Sequence, residues 1–524
     1  MFVVLAALAV PAFVLPADAG AQASFRLGVA AGEVGPRSAL LWGALDRATK
    51  ARALVATDAR FRQIVARKKV RALAVNDFTV QAQISELRPD RRYHYRFCTR
   101  RRCSSKGRFT TAPGPSQGEV IRFAYTGDTD ATRAPGGSAP FHGPFTVFNA
   151  MRREGNDFNI HFGDTIYSDS SVPGSGPPAL TTEEKWGKYR LNLGERPLRQ
   201  LRGAAGFYSH WDDHEFVNDF SIPEHGQELY DAGVQAFRDY APVSYTPSDG
   251  LYRTFRWGRN LELFFLDERS FRDAKVSASD VCDNPDTPGQ ADLAPTGPQA
   301  TRDLFALVIP SLANPVSQAC KDAINDPNRT MLGAEQFETF LDDLEASNAR
   351  WKIIVNETPL QQFYGLPYDR WEGYAYERVE LLNQLQERGI ENVVFITTDT
   401  HANFANVIRL RTLAGDVAPT NAPAEAPVDT PYSDFIAGPV ATATFWREID
   451  EATGTEGNGE LLSQAFFKPA PPAGVGMLCA QGDTDSYAEV TVTAARVRIE
   501  YKDASGDPVL DVDETQCGPY TVQP

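Results

Sequence analysis

Phe158-Asn159-Ile160-His161-Phe162-Gly163-Asp164-Thr165-Ile166-Tyr167 runs from an apolar segment into a glycine and a carboxylate. An apolar run of this length reads as a buried strand, and in open α/β sheets ligands collect beyond the carboxyl ends of strands. Gly163 lets the backbone approach an ion closely, and the Asp164 carboxylate is placed to bridge two cations. Tyr167 can bring a phenolate to the same ion, which suits trivalent iron. The competing reading is a helix cap beside a buried tyrosine.

Four further clusters follow the same plan. They are Thr126-Gly127-Asp128-Thr129-Asp130, Trp211-Asp212-Asp213-His214-Glu215, Val355-Asn356-Glu357 and Thr398-Asp399-Thr400-His401. Two hard cations about 3.5–4 Å apart need six or more donors, which several strand ends supply better than one loop. Asp399 and His401, two apart on an extended segment, are expected to project to one side. One aspartate of the Asp212–Asp213 pair is expected to bind metal, and His214 to stabilise a substrate oxygen or protonate a leaving group. A helix N-terminus is the alternative for that cluster. Arg269, in Asp267-Glu268-Arg269-Ser270 after an apolar strand, is a candidate for holding phosphoryl oxygens with paired hydrogen bonds, against a surface salt bridge.

Around these clusters, short apolar runs alternate with helical periodicity at Phe145–Glu154, Gln227–Tyr240 and Glu335–Asn348, which predicts a layered α/β domain over residues 119–524. Residues 25–113 show short strand-like runs without a long helix and predict a small β-sandwich; a Gly/Pro-rich linker follows. Tyr487–Tyr501 reads as an outer antiparallel hairpin. The insertions Lys275–Asn328 and Leu413–Thr430 are read equally as rims of the site or as surface decoration.

The 524 residues carry a formal net charge of −16, which argues against a nucleic-acid or anionic-membrane partner. Residues 1–24 contain no Lys or Arg and end Ala21-Gln22-Ala23, resembling the apolar and cleavage regions of an export signal. A buried or anchoring N-terminus is the alternative; once the signal is cleaved no stable membrane span is expected. Six cysteines fall in three sequence neighbourhoods, Cys98 with Cys103, Cys282 with Cys320 and Cys479 with Cys517, and an even count in an exported chain favours disulfides of open connectivity.

Gly127-Asp128, Gly163-Asp164-Thr165-Ile166-Tyr167, Trp211-Asp212-Asp213-His214-Glu215 and Asp399-Thr400-His401 resemble the alkaline phosphatase D family, a branch of the calcineurin-like metallophosphoesterases related to purple acid phosphatases. Gly28-Val29-Ala30-Ala31-Gly32 and Leu40-Leu41-Trp42 resemble the opening of that family's N-terminal β-sandwich. The resemblance implies two sheets flanked by helices and two or more metal ions, Fe3+ with Ca2+, with Mn2+, Mg2+ or Zn2+ as other occupants. It places Asp128, Asp164, Tyr167 and His401 around the iron, with Asp164 bridging and Asp213 and Asp399 completing the second side. Asn356 is a weaker match for a second-metal neighbour. The chain departs from many members in having Gly127-Asp128-Thr129 for Ser-Cys-Gln, an oxygen ligand in place of a thiolate, and Thr397-Thr398-Asp399 for Ser-Gly-Asp.

The expected activity is hydrolysis of small phosphate monoesters and diesters by a metal-activated hydroxide, with the protein secreted or periplasmic. The alternatives are phosphodiesterase or phospholipase D-type cleavage of larger esters, and a secreted binding protein without turnover. No nucleophile elbow or Walker A loop accompanies the clusters.

Overall fold

The computed structural model describes residues 23–524, so the expected export segment lies outside the described residues except for Ala23 and Ser24. The first seven strands are β1 (Phe25–Gly32), β2 (Ala39–Leu45), β3 (Thr49–Ala56), β4 (Ile64–Ala72), β5 (Thr79–Ile84), β6 (Arg92–Cys98) and β7 (Gly107–Thr110). They form two sheets, ordered β1-β2-β5 and β4-β3-β6-β7. Alternation along β3 buries Ala51, Ala53 and Val55 while Lys50 and Arg52 stay exposed, and Tyr93, Tyr95 and Phe97 of β6 join the same core. The cluster Arg67-Lys68-Lys69 lies on β4, and such charge is what a free sheet edge tolerates because it discourages pairing with another chain.

Thirteen more strands follow: β8 (Ile121–Thr126), β9 (Phe158–Phe162), β10 (Gly206–His210), β11 (Arg253–Trp257), β12 (Leu261–Phe265), β13 (Trp351–Val355), β14 (Val393–Thr397), β15 (Asn403–Arg411), β16 (Val428–Ile436), β17 (Cys479–Gln481), β18 (Ser486–Val492), β19 (Val497–Asp503) and β20 (Tyr520–Val522). One sheet runs β10-β9-β8-β18-β19-β20 and the other β11-β12-β13-β14-β16-β15-β17. Phe123, Ile160 and Phe162 of the first share a core with Leu263, Ile353 and Ile396 of the second. Burying each such side chain contributes about 1.5–3 kcal/mol. The helices Val147–Glu154 and Gln227–Tyr240 cover the far face of one sheet, and Ala334–Ala346 and Ala375–Glu387 that of the other. The result is a two-sheet α/β sandwich flanked by helices and preceded by a strand-rich N-terminal region.

The hairpin expected on the outside is central. Strand β18 pairs with β8 from Ala488↔Tyr125 to Val492↔Ile121, and the edges of that sheet are β10 and β20. Its alternating polar residues misled the reading: Glu489 is buried and accepts a hydrogen bond from Asn156 Nδ2 at 3.0 Å, so a polar position faces protein instead of water.

Six cysteines form the bonds Cys98–Cys103, Cys282–Cys320 and Cys479–Cys517. No described helix is long and apolar enough to cross a membrane.

Candidate metal centre

The polar clusters leave the C-terminal ends of parallel strands: Asp128 after β8, Asp164 after β9, Asp212 and Asp213 after β10, Arg269 after β12, Glu357 after β13, and Asp399 and His401 after β14. Four of these residues hold left-handed backbone, with φ of 63° at Asp128, 49° at Asp164, 67° at Asp399 and 52° at His401. A non-glycine residue keeps that conformation at a cost on the order of 1–3 kcal/mol, and such strain concentrates at functional sites. Gly163 has a φ of 78°, and a Cβ there would stand 2.9 Å from the Cβ of Asp212, so glycine lets two ligand loops close on each other.

The ligand atoms gather in four overlapping groups, each within 4.8 Å: Asp128, Asp164 and His401; Asp164, Asp213 and His214; Asp212, Asp213 and Asp399; Asp213, Asp219 and Asp369. Asp164 belongs to the first two and Asp213 to the last three. Tyr167 Oη lies 2.8 Å from His401 Nε2, which puts the phenol beside the first group. Asp399 and His401 do not share a side, as an extended segment would have made them do. Positive φ at both residues, with Thr400 N–H donating to Thr398 O at 2.7 Å, turns the loop so that each joins a different group. Thr398, which stands where a glycine is common in the resembled family, donates its hydroxyl to Phe162 O at 2.8 Å and ties the ends of β14 and β9 together.

These residues fit a bound cation. Both carboxylate oxygens of Asp128 are buried without a hydrogen-bond donor, as is Asp212 Oδ2. Asp128 has His401 Nε2 nearby, 3.7 Å from Oδ1, and Asp212 meets Arg269 through Oδ1; buried carboxylate oxygens without a hydrogen bond are costly, and a cation is the partner that an oxygen-rich pocket of this kind accepts. Burial and the neighbouring carboxylates, Asp213 foremost, push Asp164 well above the usual carboxylate range, and burial with Asp212 does the same at Asp399. Burial, then Asp164, likewise keeps the Tyr167 phenol neutral.

Arg269 takes a position the sequence reading did not foresee. It has no exposed surface, and its guanidinium lies 2.5 Å from Asp212, 2.7 Å from Asp369 and 3.7 Å from Asp399. It is neither a surface ion pair nor a free clamp for phosphoryl oxygens, because carboxylates of the protein already face its fork. Asn356 is also engaged: its amide donates to Thr358 O and its carbonyl accepts from Trp371 Nε1 at 3.1 Å.

Several further residues support the ligands. Glu215 accepts from the backbone N–H of Asp164, Thr165 and Asp212 at 3.2, 2.7 and 2.9 Å, locking two ligand loops into register. Asp169 Oδ1 lies 2.6 Å from His214 Nδ1, and Glu448 Oε1 lies 2.7 Å from His401 Nδ1. Asp169 is two residues past Tyr167 and could have been suspected; Glu448 is 47 positions from its histidine and could not. The first insertion meets the site where Lys275 Nζ pairs with Asp219 at 2.6 Å, while Asp416 of the second accepts from Tyr364 Oη at 2.8 Å.

Glu448 should orient His401 toward the first group. Glu448→Gln is expected to weaken metal retention by about 10- to 100-fold, as loss of a ligand's hydrogen-bond partner commonly does; equilibrium dialysis against a graded chelator reads it directly, and unchanged retention would remove Glu448 from this role.

The metal-free protein should respond to pH with a definite sign. Burial raises Asp128 to about 7 and Glu215 to about 7. Carboxyls raised in this way cost stability progressively as pH climbs from their unfolded values through the folded ones. At His214 burial is outweighed by Asp213 and Asp169, giving about 10, and at His401 by Glu448, giving about 8. Histidines raised in this way contribute fully below their unfolded pKa and lose that contribution as pH rises through the folded one. All four therefore act alike, and the chelated protein is expected to melt on the order of 10 °C lower at pH 8.5 than at pH 5. Thermal unfolding with and without added metal checks this; a chelated protein that gains stability over that range would contradict it.

Two sheets with one core and a carboxylate-rich pocket at the ends of their parallel strands define an α/β sandwich with a cation-binding centre. The chain belongs to the PhoD-like phosphatase family, whose model matches residues 134–500, and the model of the N-terminal domain of PhoD-like phosphatases matches residues 10–113. Alkaline phosphatase D of Bacillus subtilis is 25% identical over 426 residues, 73% of this chain, and the match spans 65% of that relative's length. A solved structure of PhoD superposes with a TM-score of 0.69 at 22% identity, covering 95% of this chain and 88% of the other. The purple acid phosphatase of yellow lupin seeds (Lupinus luteus) gives 0.53 at 11% identity over 95% and 73% of the two chains, a likeness of fold.

Proposed function

We propose that this chain is a metal-dependent phosphoric ester hydrolase acting outside the cytoplasm on small phosphate monoesters and diesters. The single observation that carries the reading is the linked set of ligand groups through Asp164 and Asp213, together with the buried Asp128 oxygens that accept no hydrogen bond. Family membership supports the reaction class, and three disulfides support an oxidising compartment. Asp128, Asp164, Tyr167 and His401 would hold one ion, for which the tyrosine favours Fe3+; Asp164, Asp213 and Asp399 would hold a second, for which the all-oxygen set favours Ca2+. Bound, such ions lower the pKa of water and neutralise charge on the phosphoryl oxygens.

The chain's own residues organise the rest. His214 stacks on Tyr167 with ring centroids 4.0 Å apart and is anchored at Nδ1 by Asp169, leaving Nε2 for a substrate oxygen. As an imidazolium it can balance charge on the phosphoryl group or give a proton to the leaving oxygen. Arg269 neutralises Asp212 and positions the Asp212–Asp213–Asp399 group instead of touching substrate.

Elemental analysis of the purified protein, with hydrolysis of aryl phosphomonoesters and diesters before and after chelation, tests the proposal. Stoichiometric metal and chelator-sensitive hydrolysis are the expected results. Metal-free, inactive protein that re-added metal does not revive would favour a binding role without turnover.

One observation favours larger esters as a second reading. An apolar cavity of about 380 Å³ is lined by Phe305, Val308, Phe363, Ile449, Leu462 and Phe466. The helix Phe445–Thr453 that walls it also carries Glu448, the partner of His401. If an ester's apolar group enters this cavity, KM should fall along an alkyl-chain series by up to about fourfold per buried methylene; a flat series would leave the small esters as substrates.

A further inference from the structure

The net charge of −16 conceals a division. Residues 25–113 carry 20 Lys and Arg against 6 Asp and Glu, whereas residues 114–524 carry 32 against 61. The strands of the β4-β3-β6-β7 sheet contain no acidic residue at all. Their alternation sends Ala51, Ala53, Val55, Tyr93, Tyr95 and Phe97 into the core, so the basic side chains collect on the opposite face.

Register makes this face unusual. Lys50 stands directly opposite Arg71, and Arg52 opposite Lys69, across the β3–β4 pair. Arg67 of β4 and Arg92 of β6 lie on the same side by alternation, and all six residues are exposed. None of them pairs with a carboxylate among the described residues, although the remainder of the chain is rich in them. Like charges directly opposed across strands destabilise a sheet, and an external layer of negative charge would relieve that repulsion.

We propose that the outer face of this sheet docks the protein on an anionic lipid surface. The face is a broad sheet surface instead of a groove, which matches a plane of headgroups better than a single strand of polymer. Its aromatic residues Tyr93, Tyr95 and Phe97 point inward, so it offers no stacking platform for nucleobases. Exposed apolar residues stand along and just beyond β4, with Val65 at 52%, Leu73 at 38% and Val75 at 68% exposure, and such side chains enter the boundary between headgroups and acyl chains. The acidic catalytic region would be repelled by the same surface, which orients the molecule sandwich-first. This inference stands apart from the proposed phosphatase reaction.

Co-sedimentation of the full chain with phosphatidylcholine vesicles, with and without phosphatidylglycerol, tests it. Binding is expected only to the vesicles with phosphatidylglycerol and should fade as salt is raised. Each basic residue near such a surface contributes about fivefold, so Arg52→Gln/Lys69→Gln/Arg71→Gln together should lower partitioning by roughly 100-fold. The hydrolysis rate of a soluble aryl phosphate and the melting temperature report that the triple variant is folded. Equal partitioning of variant and wild type, or no binding at low salt, overturns the proposal. Retention by soluble polyphosphate without vesicle binding also overturns it, reassigning the face to a polymer.

Discussion

Asp164→Asn is expected to abolish metal retention and to lower hydrolysis by at least about 10³-fold, the equivalent of several kcal/mol of charge stabilisation. Asp164 is the residue shared by the Asp128–His401 and Asp213–His214 groups, so removing its charge weakens both at once. An asparagine keeps the shape and the acceptor for His214 N–H, which lies 3.2 Å from Asp164 Oδ1. It also relieves the crowding of like charges that pushes Asp164 upward, so the metal-free variant should melt no lower than the metal-free parent. Loss of metal without loss of stability in the apoprotein is therefore the signature to look for. Full activity with both ions retained would rule out the shared-carboxylate arrangement.

Arg269→Met is expected to act in the opposite way, through stability first. The guanidinium is wholly buried among Asp212, Asp369 and Asp399. Removing it strands those carboxylates, a change that costs on the order of 3–5 kcal/mol. Arg272 would still hold Asp369 at 2.9 Å, which leaves Asp212 and Asp399 as the groups most affected. Arg269→Lys keeps one charge but loses the planar fork and should fall between the two. Thermal unfolding and Michaelis parameters of the Lys variant separate the possibilities: a lower melting temperature with reduced metal content supports the positioning role, whereas a raised KM at unchanged stability would restore the substrate clamp expected from sequence.

The strand ends were legible before any coordinates because their cause is local. Phe158–Phe162 and Gln227–Tyr240 appear with the bounds that the apolar run and helical spacing predicted. Strands buried on both faces are rich in apolar residues, and a carboxylate directly after one has few structural uses. The central position of β18 was not legible, since a polar residue looks the same in sequence whether it meets water or a buried Asn156. Nor was the fate of Arg269, whose partners Asp212 and Asp369 lie 57 and 100 residues away.

Net charge says little about any one face for a related reason. A total of −16 averages over the chain, while a partner meets one face, and residues 25–113 are basic where the remainder is acidic. The division itself could be counted from the sequence; that Lys50, Arg52, Arg67, Lys69, Arg71 and Arg92 share a face without a carboxylate partner among the described residues, and that Lys50 faces Arg71, required strand register.

From its residues alone, this chain determined the alternation of strands and helices around the site, the aspartates and histidines at the strand ends, and its family resemblance, because each depends on neighbours within a few positions. The three-dimensional packing decided which carboxylates share a pocket, which histidine leans on Glu448 or Asp169, and that Arg269 serves the protein's own acids. Those outcomes depend on pairwise distances between segments tens to hundreds of residues apart, and a buried charge acquires its role only from what the fold places beside it.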